Sequence, residues 1–178
     1  MSVIGEWDFI TRGFADSRSI YPTEYRLAQE VFGRTLPERN RISISEKLMN
    51  GDAMAEQHIF GFYTLYLGPK GYENARCQEF MWPGRVDKVV EVFIHEMVHV
   101  WQFHHGINVW FEGLKTHLTR GDKAYYYTAG KNWEDYNIEQ QAQIVQDWFF
   151  FGGKETHDNY PYIRDCIRQG KTKAKYRK

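Results

Sequence analysis

The sequence predicts a single α+β domain in which a small sheet packs beside two long helices. Segments 86–105 and 137–151 have the apolar composition or the i, i+4, i+7 periodicity of buried and amphipathic helices. Segments 41–45 and 60–67 have the alternation or the β-branched and aromatic content of strands. No Pro/Gly/Ser-rich linker or internal repeat divides the 178 residues, which suffice for one domain with a substantial core.

The rest of the chain is expected to add shorter elements around these four segments. Residues 1–20 are predicted to be an irregular N-terminal segment, 21–168 the domain, and 169–178 a basic, solvated C-terminal tail. The shorter elements are a helix at about 23–33, a turn at 68–71, a strand near 125–128 and a helix near 160–168.

His95, Glu96 and His99 form an H-E-x-x-H pentad within the predicted helix 86–105. Residues four apart lie one above the other on a helix face, so both imidazoles can offer a nitrogen to one metal ion. Glu96 projects about 100° round from His95, where it can orient a water molecule and accept its proton but is poorly placed as a third ligand. The apolar flanks bury this helix, and a buried imidazole or carboxylate needs a partner. The pattern predicts one Zn²⁺ per chain and metal-assisted hydrolysis.

Two residues compete for the third ligand position. His105 stands at the spacing of the longer motif H-E-x-x-H-x-x-G-x-x-H, but Gln102 occupies the glycine position at which that motif breaks the helix. In a continuous helix His105 lies about 240° round from His99, and no methionine follows it to form the supporting turn of that class. Glu139 lies beside the apolar stripe of 137–151 and would complete a His₂Glu set with one open position. We favour Glu139, against the alternative of a solvated glutamate at a helix start.

Segments 94–102 and 137–142 together resemble a bacterial zincin family. Its members include small proteins found near Rhs and Vgr elements, and the metallopeptidase domain at the C-terminal end of some type VI secretion spike (Vgr) proteins. The likeness extends over about residues 20–151, through the segments 23–33, 41–45 and 62–68.

The resemblance implies a zincin-like fold and a gluzincin-type site, with His95, His99 and Glu139 as zinc ligands and Glu96 as the catalytic base. It also suggests a toxin, an antibacterial type VI secretion effector. Its partners would then be a secretion spike component and a cognate immunity or inhibitor protein.

The expected reaction is hydrolysis of a peptide or protein substrate by a metal-activated water molecule. The strand within 60–67 could pair with an extended substrate by strand addition. The oxyanion of the reaction needs a hydrogen-bond donor, for which Tyr125, Tyr126, Tyr127 and His157 are unranked candidates.

Carboxylates that hold the zinc-binding imidazoles in place could be Asp135 or Asp147. Two other functions stay open on the sequence alone. One is a catalytically silent zincin-like docking module of a secretion particle, although a structural zinc site would not need Glu96. The other is an intracellular housekeeping protease.

Charge and composition limit the partners. Six of the 23 basic residues follow Asp165, where no acidic residue occurs, so the rest of the chain carries a net charge of −6. An acidic body makes nucleic acid an unsuitable partner. The sequence predicts no signal peptide and no membrane span. The resemblance to the secretion-associated family then implies synthesis in the bacterial cytoplasm and delivery by a secretion system to the periplasm of a target cell.

Overall fold

The computed structural model describes residues 16–81 and 87–177, and it confirms the predicted α+β class. Within these ranges the chain forms one compact domain with a four-stranded sheet. The strands are β1 (Ser17–Ser19), β2 (Ile42–Ser45), β3 (Met54–Gln57) and β4 (Tyr63–Tyr66). The α-helices are α1 (Pro22–Phe32), α2 (Gly68–Glu73), α3 (Val89–His104), α4 (Val109–Arg120), α5 (Ile138–Phe150) and α6 (Tyr160–Asp165).

The sheet has the strand order β1-β2-β4-β3, so β3 forms one of its edges. Strands β2 and β4 run parallel, while β1 pairs antiparallel with β2 and β3 antiparallel with β4. In the β3–β4 pair Met54 lies opposite Tyr66 and Gln57 opposite Tyr63. Strand β4 is shorter than the predicted 60–67, because residues 59–61 form a 3₁₀ turn before it.

Helix α3 is the central element of the core. Its residues from Val89 to Phe103 are all buried, and the helix packs most extensively against α5. Its other side contacts β3 and β4, so the apolar flanks of the pentad are enclosed by two layers. Helix α5 begins at Asn137, whose side chain and that of Gln140 form a reciprocal capping box. Both long predicted helices are thus confirmed, although α3 begins at Val89 rather than near the predicted residue 86, which itself lies outside the described ranges.

Two local predictions are wrong. The predicted turn at 68–71 is instead the first part of helix α2, which carries a proline in its first turn, where no backbone donor is needed. The predicted strand at 125–128 does not form, because side chains rather than a neighbouring strand take its carbonyls: Gln140 donates to the Tyr126 carbonyl at 2.6 Å. Helix α4 was not predicted at all. Among the described residues, no helix is long and apolar enough to span a membrane.

Near both ends of the described ranges, the chain makes contacts that the sequence did not predict. The last part of the N-terminal segment predicted to be irregular forms β1, while residues 1–15 lie outside the described ranges. In the predicted tail, the Ala174 carbonyl accepts from the Trp133 N–H at 3.0 Å, and the ring of Tyr176 lies 5.1 Å from that of Tyr162. These contacts hold part of the predicted tail against the domain, while the side chains of Lys171, Lys173, Lys175 and Arg177 stay exposed, as expected of a basic tail. The domain boundaries themselves stay a prediction.

Glu24 joins the sheet edge to the first two helices. Its carboxylate is fully buried and accepts two hydrogen bonds from Arg18, at 2.7 and 2.8 Å. It also accepts from the backbone N–H groups of Tyr21, at 2.8 Å, and Ala75, at 2.9 Å. The carboxylate therefore accepts four hydrogen bonds from three residues: Arg18 in β1, Tyr21 before α1 and Ala75 after α2.

We expect Glu24→Gln to lower the free energy of unfolding by about 3–5 kcal/mol, because removing one partner of a buried ion pair leaves the other charge uncompensated. Denaturant titration followed by circular dichroism measures this change. Glu30→Gln, an exposed position on the same helix, is the matched control. Equal unfolding midpoints for the two variants would contradict this account of Glu24.

Candidate metal centre

Three side chains from two helices converge at the centre of the α3–α5 seam. Glu139, in the first turn of α5, places Oε2 3.3 Å from His95 Nε2 and 3.4 Å from His99 Nε2. All three residues are buried. A tetrahedral zinc ion with bonds of about 2.0–2.1 Å separates its ligand atoms by about 3.3–3.4 Å. The Glu139 oxygen thus lies at ligand spacing from both imidazole nitrogens.

Glu96 is a second carboxylate beside the two histidines. Ligand-type atoms of His95, Glu96 and His99 all lie within 4.8 Å of one another. The backbone of Ala55, in strand β3, donates a hydrogen bond to this carboxylate. Its Oε2 atom is buried and has no hydrogen-bond partner among the described residues. Such an atom is costly to bury, and it is an acceptor available for chemistry.

The ionisable side chains of this pocket shift one another's pKa values. Burial by itself lowers the pKa of His99, but the Glu139 carboxylate, with smaller contributions from Glu96 and Gln102, raises it to about 9. Burial raises the pKa of Glu139, but the two histidines outweigh it and hold this pKa well below its usual range. The pKa of Glu96 is raised, mainly because burial disfavours its charged form. The pocket therefore holds positive charge against the Glu139 carboxylate.

The other nitrogen of each histidine is bound by a glutamine. His99 Nδ1 lies 2.8 Å from Gln102 Oε1, and His95 Nδ1 lies 2.9 Å from Gln146 Oε1. An amide oxygen only accepts hydrogen bonds, so each Nδ1 donates its proton to a glutamine and Nε2 is the nitrogen that faces Glu139. A metal ion binding there would displace any proton on Nε2. Both rings therefore present Nε2 as a metal ligand, and the partner that holds each ring is an amide.

The carboxylates proposed from the sequence for this role lie elsewhere. Asp135 is exposed in a 3₁₀ turn before α5. Asp147 accepts hydrogen bonds from Tyr127 and Gln143, both at 2.7 Å. Sequence reasoning missed Gln102, although a glutamine in an otherwise apolar stretch of helix is a signal that could have found it.

Of the candidate oxyanion donors, Tyr125 lies at the site. It lines the same cavity as the pentad, and its ring centroid lies 6.0 Å from that of His95. The adjacent Tyr126 is 74% exposed, and its side chain does not line this cavity.

The structure places the other two candidate donors away from the cavity. The Tyr127 hydroxyl donates to Asp147 and accepts from the side chain of Asn159, both at 2.7 Å. His157 stacks against Phe151, with ring centroids 5.4 Å apart, and its Nδ1 accepts from the Asn159 N–H. Neither side chain is brought together with the histidines of the pentad.

His105, the rejected third ligand, faces a different part of the fold. It follows the last residue of α3, and its Nε2 donates to the Thr35 carbonyl at 3.0 Å. Its ring packs against Trp101, with centroids 4.6 Å apart. It is not among the residues that line the cavity.

The pentad and Glu139 line a cavity of about 920 Å³. One wall is the edge strand β3, through Met54 and Ala55, and another is helix α4, through Trp110 and Leu114. The expectation that the strand within 60–67 pairs with substrate is wrong, because β4 already pairs with β2 on one side and β3 on the other. Strands β1 and β3 are the two edges of the sheet in the described ranges, and β3 is the edge strand that lines the cavity.

Comparison with known proteins gives one similar sequence and one similar structure. Over 62 residues, 33% of the chain, the sequence is 50% identical to the type VI secretion system spike protein VgrG2b of Pseudomonas aeruginosa. This match spans only 6% of the length of that protein. The fold is similar to the effector domain of P. aeruginosa VgrG2b, with a TM-score of 0.55 and 27% identity over 82% of this chain and 81% of that one. No protein-family model matches the chain.

Proposed function

We propose that this chain is a zinc-dependent metallopeptidase domain. The observation that carries the proposal is the convergence of His95 Nε2, His99 Nε2 and Glu139 Oε2 at the spacing of tetrahedral ligands. Three protein ligands leave one coordination position open, which is the arrangement of catalytic rather than structural zinc sites. The buried Glu96 beside this set, with an oxygen that has no partner in the described structure, supplies the base that such a site needs.

Each side chain then has one role. His95, His99 and Glu139 would hold the ion, which when bound supplies Lewis acidity that lowers the pKa of water and polarises a carbonyl. Glu96 accepts the proton of the attacking water at Oε2 and passes it to the leaving amine. We assign Glu139 rather than Glu96 as the third ligand, because one Glu139 oxygen lies at ligand spacing from both Nε2 atoms.

The substrate would be a peptide or protein in extended conformation. Strand β3 offers an unpaired edge beside the pentad, so main-chain groups of Met54–Gln57, apart from the Ala55 N–H that donates to Glu96, would hold the substrate with little sequence selectivity. Tyr125, beside His95 in the cavity, is the proposed donor to the developing oxyanion.

Similarity to the VgrG2b effector domain supports a role as a type VI secretion effector. An antibacterial toxin of this kind would associate with a secretion spike and be restrained by an immunity protein in the producing cell. Hydrolysis of proteins in the periplasm of a target cell is the activity we propose for it.

The test of the enzymatic proposal is metal content measured together with hydrolysis of unfolded casein. We expect about one zinc ion per chain in protein purified without chelator. Removing the zinc should abolish hydrolysis, and adding it back should restore the activity. Native protein that holds no transition metal, or whose hydrolysis survives complete metal removal, would refute the assignment.

The test of the effector proposal is growth of bacteria that produce the chain with and without an added export leader. We expect loss of growth when the chain reaches the periplasm, and normal growth when periplasmic His95→Ala is produced at the same level. Equal toxicity of the two proteins would show that the effect does not come from the metal site.

A further inference from the structure

Two buried glutamines, Gln102 and Gln141, link the His99 ring by hydrogen bonds to backbone carbonyls just before α5. We propose that Gln102, locked in orientation by Gln141, is a positioning residue that fixes the protonation and direction of the His99 ring for metal binding. This inference rests on the proposed zinc site and adds to it the residues that make His99 a competent ligand.

Gln102 uses all its polar atoms in the α3–α5 seam. It is fully buried, its Oε1 lies 2.8 Å from His99 Nδ1, and its Nε2 donates to the Ile138 carbonyl at 3.1 Å. The same Nε2 donates to Gln141 Oε1 at 3.0 Å. Gln102 stands three residues after His99, on the same face of the helix, so it reaches the ring without distorting the backbone.

The orientation of both side-chain amides, Gln102 and Gln141, is fixed by the hydrogen bonds of Gln141. Gln141 Nε2 donates to the carbonyls of Trp133, at 3.0 Å, and Tyr136, at 3.4 Å. Carbonyl oxygens only accept, so the nitrogen of Gln141 must face them and its oxygen must face Gln102. The Gln102 nitrogen must then face Gln141, which leaves its oxygen for His99.

The consequence for His99 is a single tautomer. With an acceptor fixed at Nδ1, that nitrogen keeps its proton when the ring is neutral, so Nε2, which faces Glu139 and the proposed zinc position, is the nitrogen left to bind the ion. A flip of the Gln102 amide, which would reverse this preference, would set its oxygen against two other acceptors. In the longer zincin motif a glycine stands at the position of Gln102. Here the glutamine keeps the helix intact and holds the second histidine.

The test compares zinc affinity, by chelator competition, in the near-isosteric variants Gln102→Met and Gln102→Glu. Methionine removes the acceptor, and we expect zinc affinity to fall about 10–100-fold, as is typical when the partner of a ligating histidine is lost. Glutamate restores an acceptor oxygen to Nδ1, so we expect affinity within a few-fold of the wild type even if stability falls. If Gln102→Met fails to fold, Gln141→Met takes its place in the test. It removes only the group that holds Gln102 in orientation, and we expect it to weaken zinc binding.

Gln140→Met is the matched control. Gln140 is as buried as Gln141 and lies beside it on α5, but its side chain bonds to Asn137 and to the Tyr126 carbonyl instead of to Gln102. We expect this variant to lose stability and to keep its zinc affinity.

A spectroscopic readout separates positioning from general stability. In the cobalt(II)-substituted protein, the Nδ1–H of His99 should give a slowly exchanging, paramagnetically shifted proton signal in the wild type and in Gln102→Glu. Gln102→Met should lose this signal or exchange it quickly.

Two results would overturn the proposal. The first is wild-type zinc affinity together with an unchanged proton signal in Gln102→Met. The second is an equal loss of zinc affinity in Gln102→Met and Gln102→Glu that is proportional to the loss of stability in each. A wild-type protein that binds no zinc would instead defeat the proposed function, and this inference with it.

Discussion

Glu96→Gln is expected to bind zinc as tightly as the wild type and to hydrolyse peptides about 10²–10⁴-fold more slowly, the usual contribution of a general base. The amide keeps the shape of the side chain and its place beside His95 and His99, but it cannot accept a proton from water. The measurement is kcat on a fluorogenic peptide, together with zinc content and the unfolding midpoint of the same preparations.

The control for this variant is Glu91→Gln. Glu91 is also a buried glutamate of helix α3, but it pairs with Lys88 and lies outside the cavity. We expect Glu91→Gln to keep its turnover. If Glu96→Gln retained both zinc and wild-type turnover, Glu96 would not be the base. If it lost zinc, Glu96 would belong to the ligand set.

Glu139→Ala is expected to weaken zinc binding by more than about 100-fold. Losing a residue that only hydrogen-bonds to a ligand costs up to about 100-fold, and losing a ligand itself should cost more. Glu139 is proposed to bind the ion itself, and its removal leaves His95 and His99 as the only protein ligands. His105→Ala should bind zinc like the wild type, because His105 bonds to the Thr35 carbonyl outside the cavity. Chelator competition on the two variants measures both affinities.

Stability must be followed in the same pair. His105 packs against Trp101, so His105→Ala should lower the unfolding midpoint although zinc binding is unchanged. Glu139→Ala removes a buried charge that faces His99, and the metal-free variant should not be greatly destabilised at high pH, where the His99 ring is neutral. Zinc loss in His105→Ala with full retention in Glu139→Ala would instead favour a three-histidine site of the longer H-E-x-x-H-x-x-G-x-x-H type.

The sequence sufficed for the pentad because an i, i+4 pair on one helix depends on no tertiary contact. Glu139 needed one further step, that the apolar stripes of two helices face each other. The structure brings this carboxylate to both histidines, as that step required. The amide chain was out of reach, because it joins Gln102 to Gln141 across 39 residues and depends on the register between α3 and α5.

Only the two interior strands of the sheet, β2 and β4, were predictable from the sequence. Strand β2 alternates Ile and Ser, and β4 is rich in residues that favour strands. Strand β3 contains Glu56 and Gln57, which do not favour strands, and it forms because β4 supplies partners for its backbone. The sequence therefore offered only an interior strand, β4, for pairing with substrate: short edge strands carry little sequence signal, although β3 borders the cavity.

The most direct test of the zinc site is a crystal structure of the native protein with anomalous diffraction recorded on both sides of the zinc absorption edge. We predict one zinc peak, with His95 Nε2, His99 Nε2 and a Glu139 oxygen bonded to it at about 2.0–2.2 Å. His105 should remain on the Thr35 carbonyl, and Glu96 should lie near the open position without a bond to the ion. A zinc peak bonded to His105 or to Glu96 in place of Glu139, or no peak between α3 and α5, would contradict the account.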